Sequence, residues 1–443
     1  MITAFKNKSS NLITIFNLIF IRGSSSGFQF LLNVFLGRLL GPEGMGIYYI
    51  YTSWNTFLST LASIGLPLYS LKNISILKSK NKLHDIASFI ITSILFIFIV
   101  GLPLTILIIF FNKDIAHLFL GSSNFGVVIS LAAIGGFVFA ILRILVESLK
   151  GIGKPNTGIA LEFSIIPLGL LIVISVLFYT TRDVSPYTVL YVHVLILILS
   201  VIFSIIFLKK NNIDLSPTVF KNNYLNIKKD YELRKILIFW GTMLLNVLSA
   251  TLPFFLIPFY SSAEEVAKFG IANKLVSIAA TFLMALASFF APKFASYYSE
   301  YNITSLTKEL RNSRIYSFIA YLPFFIVFIF LSDWILNIFG EEFVDAKIYL
   351  YIFAIGQLIN STTGLAGHFL NMVGKEKLQL YNMMISILLM LILSVILGRN
   401  YGALGVTIAY SISIVVNNIL AVILSKFAIS NMSSKKLGSN QLY

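Results

Sequence analysis

Residues 209–234, KKNNIDLSPTVFKNNYLNIKKDYELR, are the longest polar stretch in a chain that is otherwise strongly apolar. They have the composition of a linker. A membrane helix needs about 20 mostly apolar residues. Twelve segments qualify: 12–39, 44–70, 86–110, 123–149, 157–180, 187–208, 235–259, 264–291, 315–335, 346–372, 379–398 and 403–425. Six precede the polar stretch and six follow it. The expected fold is all-α and integral to a membrane, with twelve transmembrane helices in two pseudo-symmetric six-helix lobes. The lobes are 1–208 and 235–443, joined by a cytoplasmic linker at 209–234, and the second ends in a short cytoplasmic tail.

Composition and charge agree. Of 443 residues, 57% are hydrophobic and 12% charged, against about 25% charge in soluble domains; a soluble enzyme does not fit. The net charge of +15 would suggest nucleic acid in a soluble protein. Its distribution says otherwise. With both termini in the cytoplasm, 24 of the 33 Lys and Arg fall in inward loops and six at outer ends, as the positive-inside rule requires. No nucleic-acid partner is expected. The remaining three, Arg22, Arg143 and Lys274, lie within spans. The first apolar segment is too long for a cleavable signal peptide and has no small-residue cleavage site. There is no Cys, and the four His (His84, His117, His193, His368) lack ligand spacing, so no metal or other cofactor is expected.

The halves echo each other. GPEGMGIYYIYTSW (41–54) and SAEEVAKFGIANKL (262–275) each place an acidic turn before small and aromatic residues and a polar helical start. Such similarity, with six helices on each side, suggests parallel repeats around a cavity. Chance likeness between short membrane motifs is the alternative.

Ionisable groups within a span are costly and tend to face a cavity or a partner. Arg22, Ser25, Ser26, Gln29 and Asn33 follow i, i+3, i+4, i+7, i+11, one face of a helix. The run Gly23–Gly27 weakens that helix and would offer backbone N–H groups to an anion if it lined water. Lys274, Ser277, Thr281 and Ser288 form a second stripe, with Lys274 roughly 15 Å from the outer end. Thr52, Thr56, Ser59 and Ser63 form a third; Thr242, Asn246 and Ser249 precede Pro253 and Pro258, which should bend their helix. For the hydroxyls alone, helix–helix hydrogen bonding is the plainer reading. Arg143, Glu147 and Glu162 are expected to cluster at the inner side, as a structural latch or as a gate or coupling site. His368 reads as a structural histidine or a proton carrier, and Gly151–Pro155 as a tight inner loop. Tyr48, Tyr51 and Trp54 serve either packing or stacking on sugar rings.

Residues 32–54, LNVFLGRLLGPEGMGIYYIYTSW, resemble the opening helices of Wzx-type polysaccharide flippases, of the multidrug/oligosaccharidyl-lipid/polysaccharide exporter superfamily. Leu36–Glu43, followed by Gly46 and Tyr48, is the most specific stretch; FGIANKL (269–275) and Ala291-Pro292 also suit the family. The resemblance implies a V-shaped, two-lobed transporter of the bacterial cytoplasmic membrane, working as a monomer. It also implies an undecaprenyl-pyrophosphate-linked oligosaccharide as substrate, with membrane lipids and a polysaccharide polymerase as further partners. Coupling to an H+ or Na+ gradient stays open. On that reading Arg22 and Lys274 contact phosphate, and Gln29, Asn33 and Asn246 contact sugar hydroxyls. The alternatives are a multidrug cation antiporter or a lipid II flippase of the same superfamily. Mid-membrane charges of positive sign disfavour cationic drugs. A membrane enzyme would want clustered carboxylates, His or metal ligands at a membrane face, and the sequence offers none.

Overall fold

A computed structural model describes residues 2–215 and 232–440, and their side chains outside 2–23, 281–282, 285, 288 and 433–440. Most of the expected linker, 216–231, therefore lies outside the described residues, as does the side chain of Arg22. Every regular element among the described residues is helical. In chain order the first eight are α1 (Ile2–Ser63), α2 (Leu66–Ser79), α3 (Leu83–Phe110), α4 (Asn112–Leu120), α5 (Gly126–Gly151), α6 (Pro155–Phe163), α7 (Ile165–Thr181) and α8 (Pro186–Lys210). Seven more follow: α9 (Leu233–Tyr260), α10 (Ala263–Ser299), α11 (Ile303–Phe330), α12 (Ser332–Asn337), α13 (Lys347–Thr363), α14 (Ala366–Met372) and α15 (Glu376–Asn440).

Two of these helices are broken inside. Gly41 has φ 65° and ψ −176°, and Gly402 has φ 59° and ψ −137°. Both lie in a region that a Cβ makes costly, and both fall where one expected apolar segment ends and the next begins. The run Gly23–Gly27, expected to loosen the first segment, does not interrupt α1. The helix ladder is satisfied there by the backbone alone, whatever the side-chain propensities. In α9 the helix continues through Pro253 and Pro258. Membrane helices tolerate the lost ladder bonds where neighbouring groups re-satisfy the freed carbonyls.

Among the described residues, seven helical stretches are long and apolar enough to cross a membrane: Leu83–Phe110, Ser123–Gly151, Pro155–Thr181, Pro186–Lys210, Leu233–Tyr260, Ile303–Phe330 and Glu376–Met432. The outward side chains of α3 are apolar, with Ile99, Ile106 and Phe110 exposed, as a lipid-facing surface requires. The chain is an all-helical, multi-pass membrane protein.

Contacts divide the chain into two compact units, 1–251 and 252–443. In the first, α5 is central, and its Gly136 lets the backbone of α1 approach closely enough that a Cβ would sit 3.0 Å from the Asn55 carbonyl. Small residues at such crossings replace the hydrophobic drive that lipid removes. The start of α9 docks on the same unit: Trp240 Nε1 donates to the Thr60 carbonyl at 3.1 Å, and Glu232 N–H donates to Tyr69 Oη at 3.0 Å. In the second unit, Phe290, Phe294, Leu310 and Phe369 belong to one hydrophobic core cluster, with Phe294 and Phe369 edge to face.

Candidate functional site

Lys274 lies on α10, on the exposed surface of its own unit, as does Ser277 one turn further along. Thr281 and Ser288, the rest of that stripe, have side chains outside the described residues. The acidic groups of α10 are at its start. Glu264 and Glu265 accept from Lys268 Nζ at 2.9 and 3.0 Å, and Tyr349 donates to Glu265. These carboxylates are thus engaged locally, a full helical stretch before Lys274.

On α1, Gln29 is half-buried. Asn33 is buried and its amide is held at both ends: Nδ2 donates to the Gln29 carbonyl at 2.6 Å, and Oδ1 accepts from Tyr49 at 2.8 Å. That second bond spans the Gly41 break. Ser25 Oγ meets Ser164 Oγ at 2.7 Å, joining α1 to the start of α7. On α9, Asn246 is exposed and Nδ2 donates to the Thr242 carbonyl at 2.7 Å. The hydroxyls of Thr52, Thr56, Thr60 and Ser63 donate to backbone carbonyls of their own helix, so in that stripe backbone bonding takes the protons. Ser59 is the exception: its Oγ is buried without a hydrogen-bond partner among the described residues.

Part of the expected cluster forms around a residue that sequence spacing did not single out. Lys150 Nζ bonds Glu147 at 2.8 Å and Glu162 at 3.4 Å, joining α5 to α6. The spacing of Arg143 and Glu147 at i, i+4 suggested a direct pair. Arg143 instead reaches across to α1 and donates to Thr60 Oγ1 at 3.3 Å, with its guanidinium 6.0 Å from the Phe139 ring centroid. The i, i+3 spacing of Glu147 and Lys150 was the available signal.

The aromatic residues considered for sugar stacking are packed within the first unit. Tyr48 is 3% exposed, Tyr51 0% and Trp54 4%. Tyr51 bonds His193 Nδ1 at 2.9 Å, and Trp54 packs edge to face on Phe119. They serve the core in this conformation, because the helix face carrying them packs inward. Among the described residues no group of His, Asp and Glu is placed to hold a metal ion.

Lys150 thus joins Glu147 and Glu162 while Arg143 turns to Thr60; Lys274 and Asn246 are each exposed on a helix surface, and Asn33 is engaged. The family model described as "Polysaccharide biosynthesis protein" matches residues 14–297, and the MatE model matches residues 238–396. The "Probable low-salt glycan biosynthesis flippase Agl15" of Haloferax volcanii is 28% identical over 185 residues, 41% of this chain and 39% of that protein. The match therefore spans well under half of that relative. Among solved structures, an inward-facing multidrug resistance MATE family transporter of the MOP superfamily superposes with a TM-score of 0.75 at 16% identity, over 93% of this chain and 96% of the other. The lipid II flippase MurJ, in an inward closed conformation, gives 0.69 at 18% identity, over 96% and 91%. These likenesses establish the fold.

Proposed function

The chain belongs to the polysaccharide biosynthesis protein family, and from that premise we propose that it flips a lipid-linked, anionic oligosaccharide across the cytoplasmic membrane. The glycan is an undecaprenyl-pyrophosphate-linked repeat unit, moved from inner to outer leaflet for assembly of O-antigen, capsule or exopolysaccharide. Twelve crossings in two lobes and cytoplasmic termini belong to the same reading. A diphosphate cannot cross about 30 Å of hydrocarbon unaided, because stripping its water is prohibitive. Cations and hydroxyls along the path replace part of that water, and alternating access delivers the head group outward. The polyprenyl tail stays in lipid.

The observation that carries this reading is Lys274: a cation on an apolar-rich helix, exposed, with the nearby acids of α10 already bonded to Lys268 and Tyr349. Arg22 and Lys274 each offer charge to phosphate, Arg22 through a bidentate fork. Gln29 and Asn246 offer amides to sugar hydroxyls; Asn33 joins them on leaving its Tyr49 contact. Arg143, Glu147 and Glu162, with Lys150, form the gate or coupling site at the inner end, and coupling to H+ or Na+ passes through their ion pairs.

The MatE match favours a second reading, a cation antiporter. The signs of charge oppose it, since the carboxylates Glu147, Glu162, Glu264 and Glu265 are all ion-paired near helix ends. One experiment separates the two. Arg22→Ala and Lys274→Ala are compared with the parent for membrane level and surface glycan. Glycan falling more than tenfold at equal protein level supports flipping of an anionic substrate. Unchanged glycan sinks it, and loss of drug resistance instead would point to the antiporter.

A further inference from the structure

The second unit holds a cavity of about 170 Å³ whose lining carries no charge. Asn273 and Ser277 of α10, Phe353 and Gln357 of α13, and Tyr410 and Ser411 of α15 line it. Its hydrogen-bonding groups are unevenly committed. Gln357 Oε1 accepts from Asn360 Nδ2 at 3.1 Å, but Gln357 Nε2 is buried with no hydrogen-bond partner among the described residues. A buried donor left unpaired is costly, so this amide calls for an acceptor.

The serines call for the opposite. Ser277 Oγ donates to the Lys274 carbonyl at 2.8 Å, and Ser411 Oγ donates to the Ile352 carbonyl at 3.2 Å. Each has spent its proton and keeps lone pairs for a donor. A side chain at Gly356 would overlap Ser411 Oγ; the bare backbone keeps that oxygen clear. Phe353 and Tyr410 close an apolar wall, edge to face at 5.8 Å.

A cation would find no carboxylate here and an anion no positive charge. A hydrocarbon would strand the Gln357 amide. A ligand that donates, accepts and has an apolar face satisfies all three surfaces, and a pyranose ring does so through its hydroxyls and its C–H face. The volume lies below the roughly 300 Å³ at which drug-sized pockets begin, which suits a single ring. Ser277 is three residues from Lys274 and on the same exposed stripe, so this part of the lining lies about one helical turn from the cation.

We propose that this cavity is a subsite for one neutral sugar residue of the glycan, adjoining the charge that holds the phosphate. The proposal rests on the flippase reading and extends it to a substrate contact inside the second unit.

The test uses the full chain purified in a detergent without a sugar head group. Saturation-transfer NMR is run with millimolar methyl glucoside and methyl N-acetylglucosaminide as probes. Transfer to ring protons of either probe is expected, falling at least threefold in Gln357→Leu and in Asn273→Leu. Ile419→Ala, on an exposed face of α15, should leave it unchanged. Unfolding midpoints show which variants are folded, and Gln357→Met replaces Gln357→Leu if the latter is not. Absence of transfer in the parent, or equal transfer in the folded Gln357 and Asn273 variants, overturns the subsite. The flippase reading is judged separately. Glycan export lost in Lys274→Ala with sugar transfer indifferent to Gln357 refutes the subsite alone; export indifferent to Arg22 and Lys274 refutes the reading beneath it.

Discussion

At the scale of single residues, Lys150 has the clearest consequence. It holds Glu147 and Glu162 together while all three side chains are mostly enclosed. Removing the cation leaves two facing carboxylates without their partner, a change that costs about 3–5 kcal/mol when a pair is truly buried. Lys150→Met should therefore lower the unfolding midpoint in detergent by an amount corresponding to about 3 kcal/mol, with Lys150→Arg recovering most of it. An unchanged midpoint would mean that the ion pairs contribute nothing. Tyr51→Phe tests a neutral counterpart. It deprives buried His193 Nδ1 of its partner and should cost about 1–2 kcal/mol, read in the same thermal assay. Sequence spacing had pointed to the right neighbourhood at α5 and α6 but paired Arg143 with Glu147. Both Arg143 and Lys150 lie within helical reach of Glu147, and sequence alone cannot say which partner a third helix leaves free. Thr60, donated by α1, takes Arg143.

At the scale of elements, the informative positions are the two breaks. Gly41 and Gly402 have φ of 65° and 59° with ψ near the extended range, a combination costing about 1–3 kcal/mol for a residue with a side chain. Gly41→Ala and Gly402→Ala should each lower the midpoint by that much. Gly27→Ala is the contrasting case: it is helical, and a Cβ there meets nothing within 4 Å. Alanine should raise stability by up to about 1 kcal/mol. Equal effects at Gly27 and Gly41 would show that the breaks are not conformationally required. The apolar periods of the segments were legible because hydropathy accumulates locally, but breaks at 64–65, 164, 331 and 364–365 divide four of the expected segments into shorter helices. The hydroxyl stripe on α1 was legible as a stripe, but not its use. Whether Thr56 offers its proton to a ligand or to the Thr52 carbonyl depends on rotamer and packing, and the carbonyl wins.

At the scale of the whole molecule, topology is the quantity to test. The α5 helix, 26 residues long, is long enough at about 1.5 Å per residue to cross a hydrocarbon core of about 30 Å. The chain has no Cys, so an introduced one is unique. With inward termini, Ser122→Cys before α5 should react with an impermeant maleimide in intact cells. Gly153→Cys after α5, which is exposed, should react only once the membrane is opened. The reversed pattern would invert the topology and the direction of transport inferred from it. The docking of the start of α9 on the first unit, through Trp240 and Thr60, belongs to this scale too. It carries no sequence signal, because an indole that packs on a distant carbonyl looks like any interfacial Trp.

Hydropathy and the sign of loop charges determined, without coordinates, that this chain lives in a membrane as helices, because both are sums over neighbouring residues and need no knowledge of distant ones. The resemblance at residues 32–54 carried the family for a similar reason: a tight turn between two helices constrains its residues locally. Which polar groups are spent and which stay open was decided only in three dimensions. Asn33 and Tyr49 lie 16 residues apart, Arg143 and Thr60 83 apart, and Gln357 and Ser411 meet around one cavity from different helices. Each hydrogen bond is a choice among competing partners, and that choice is made by packing.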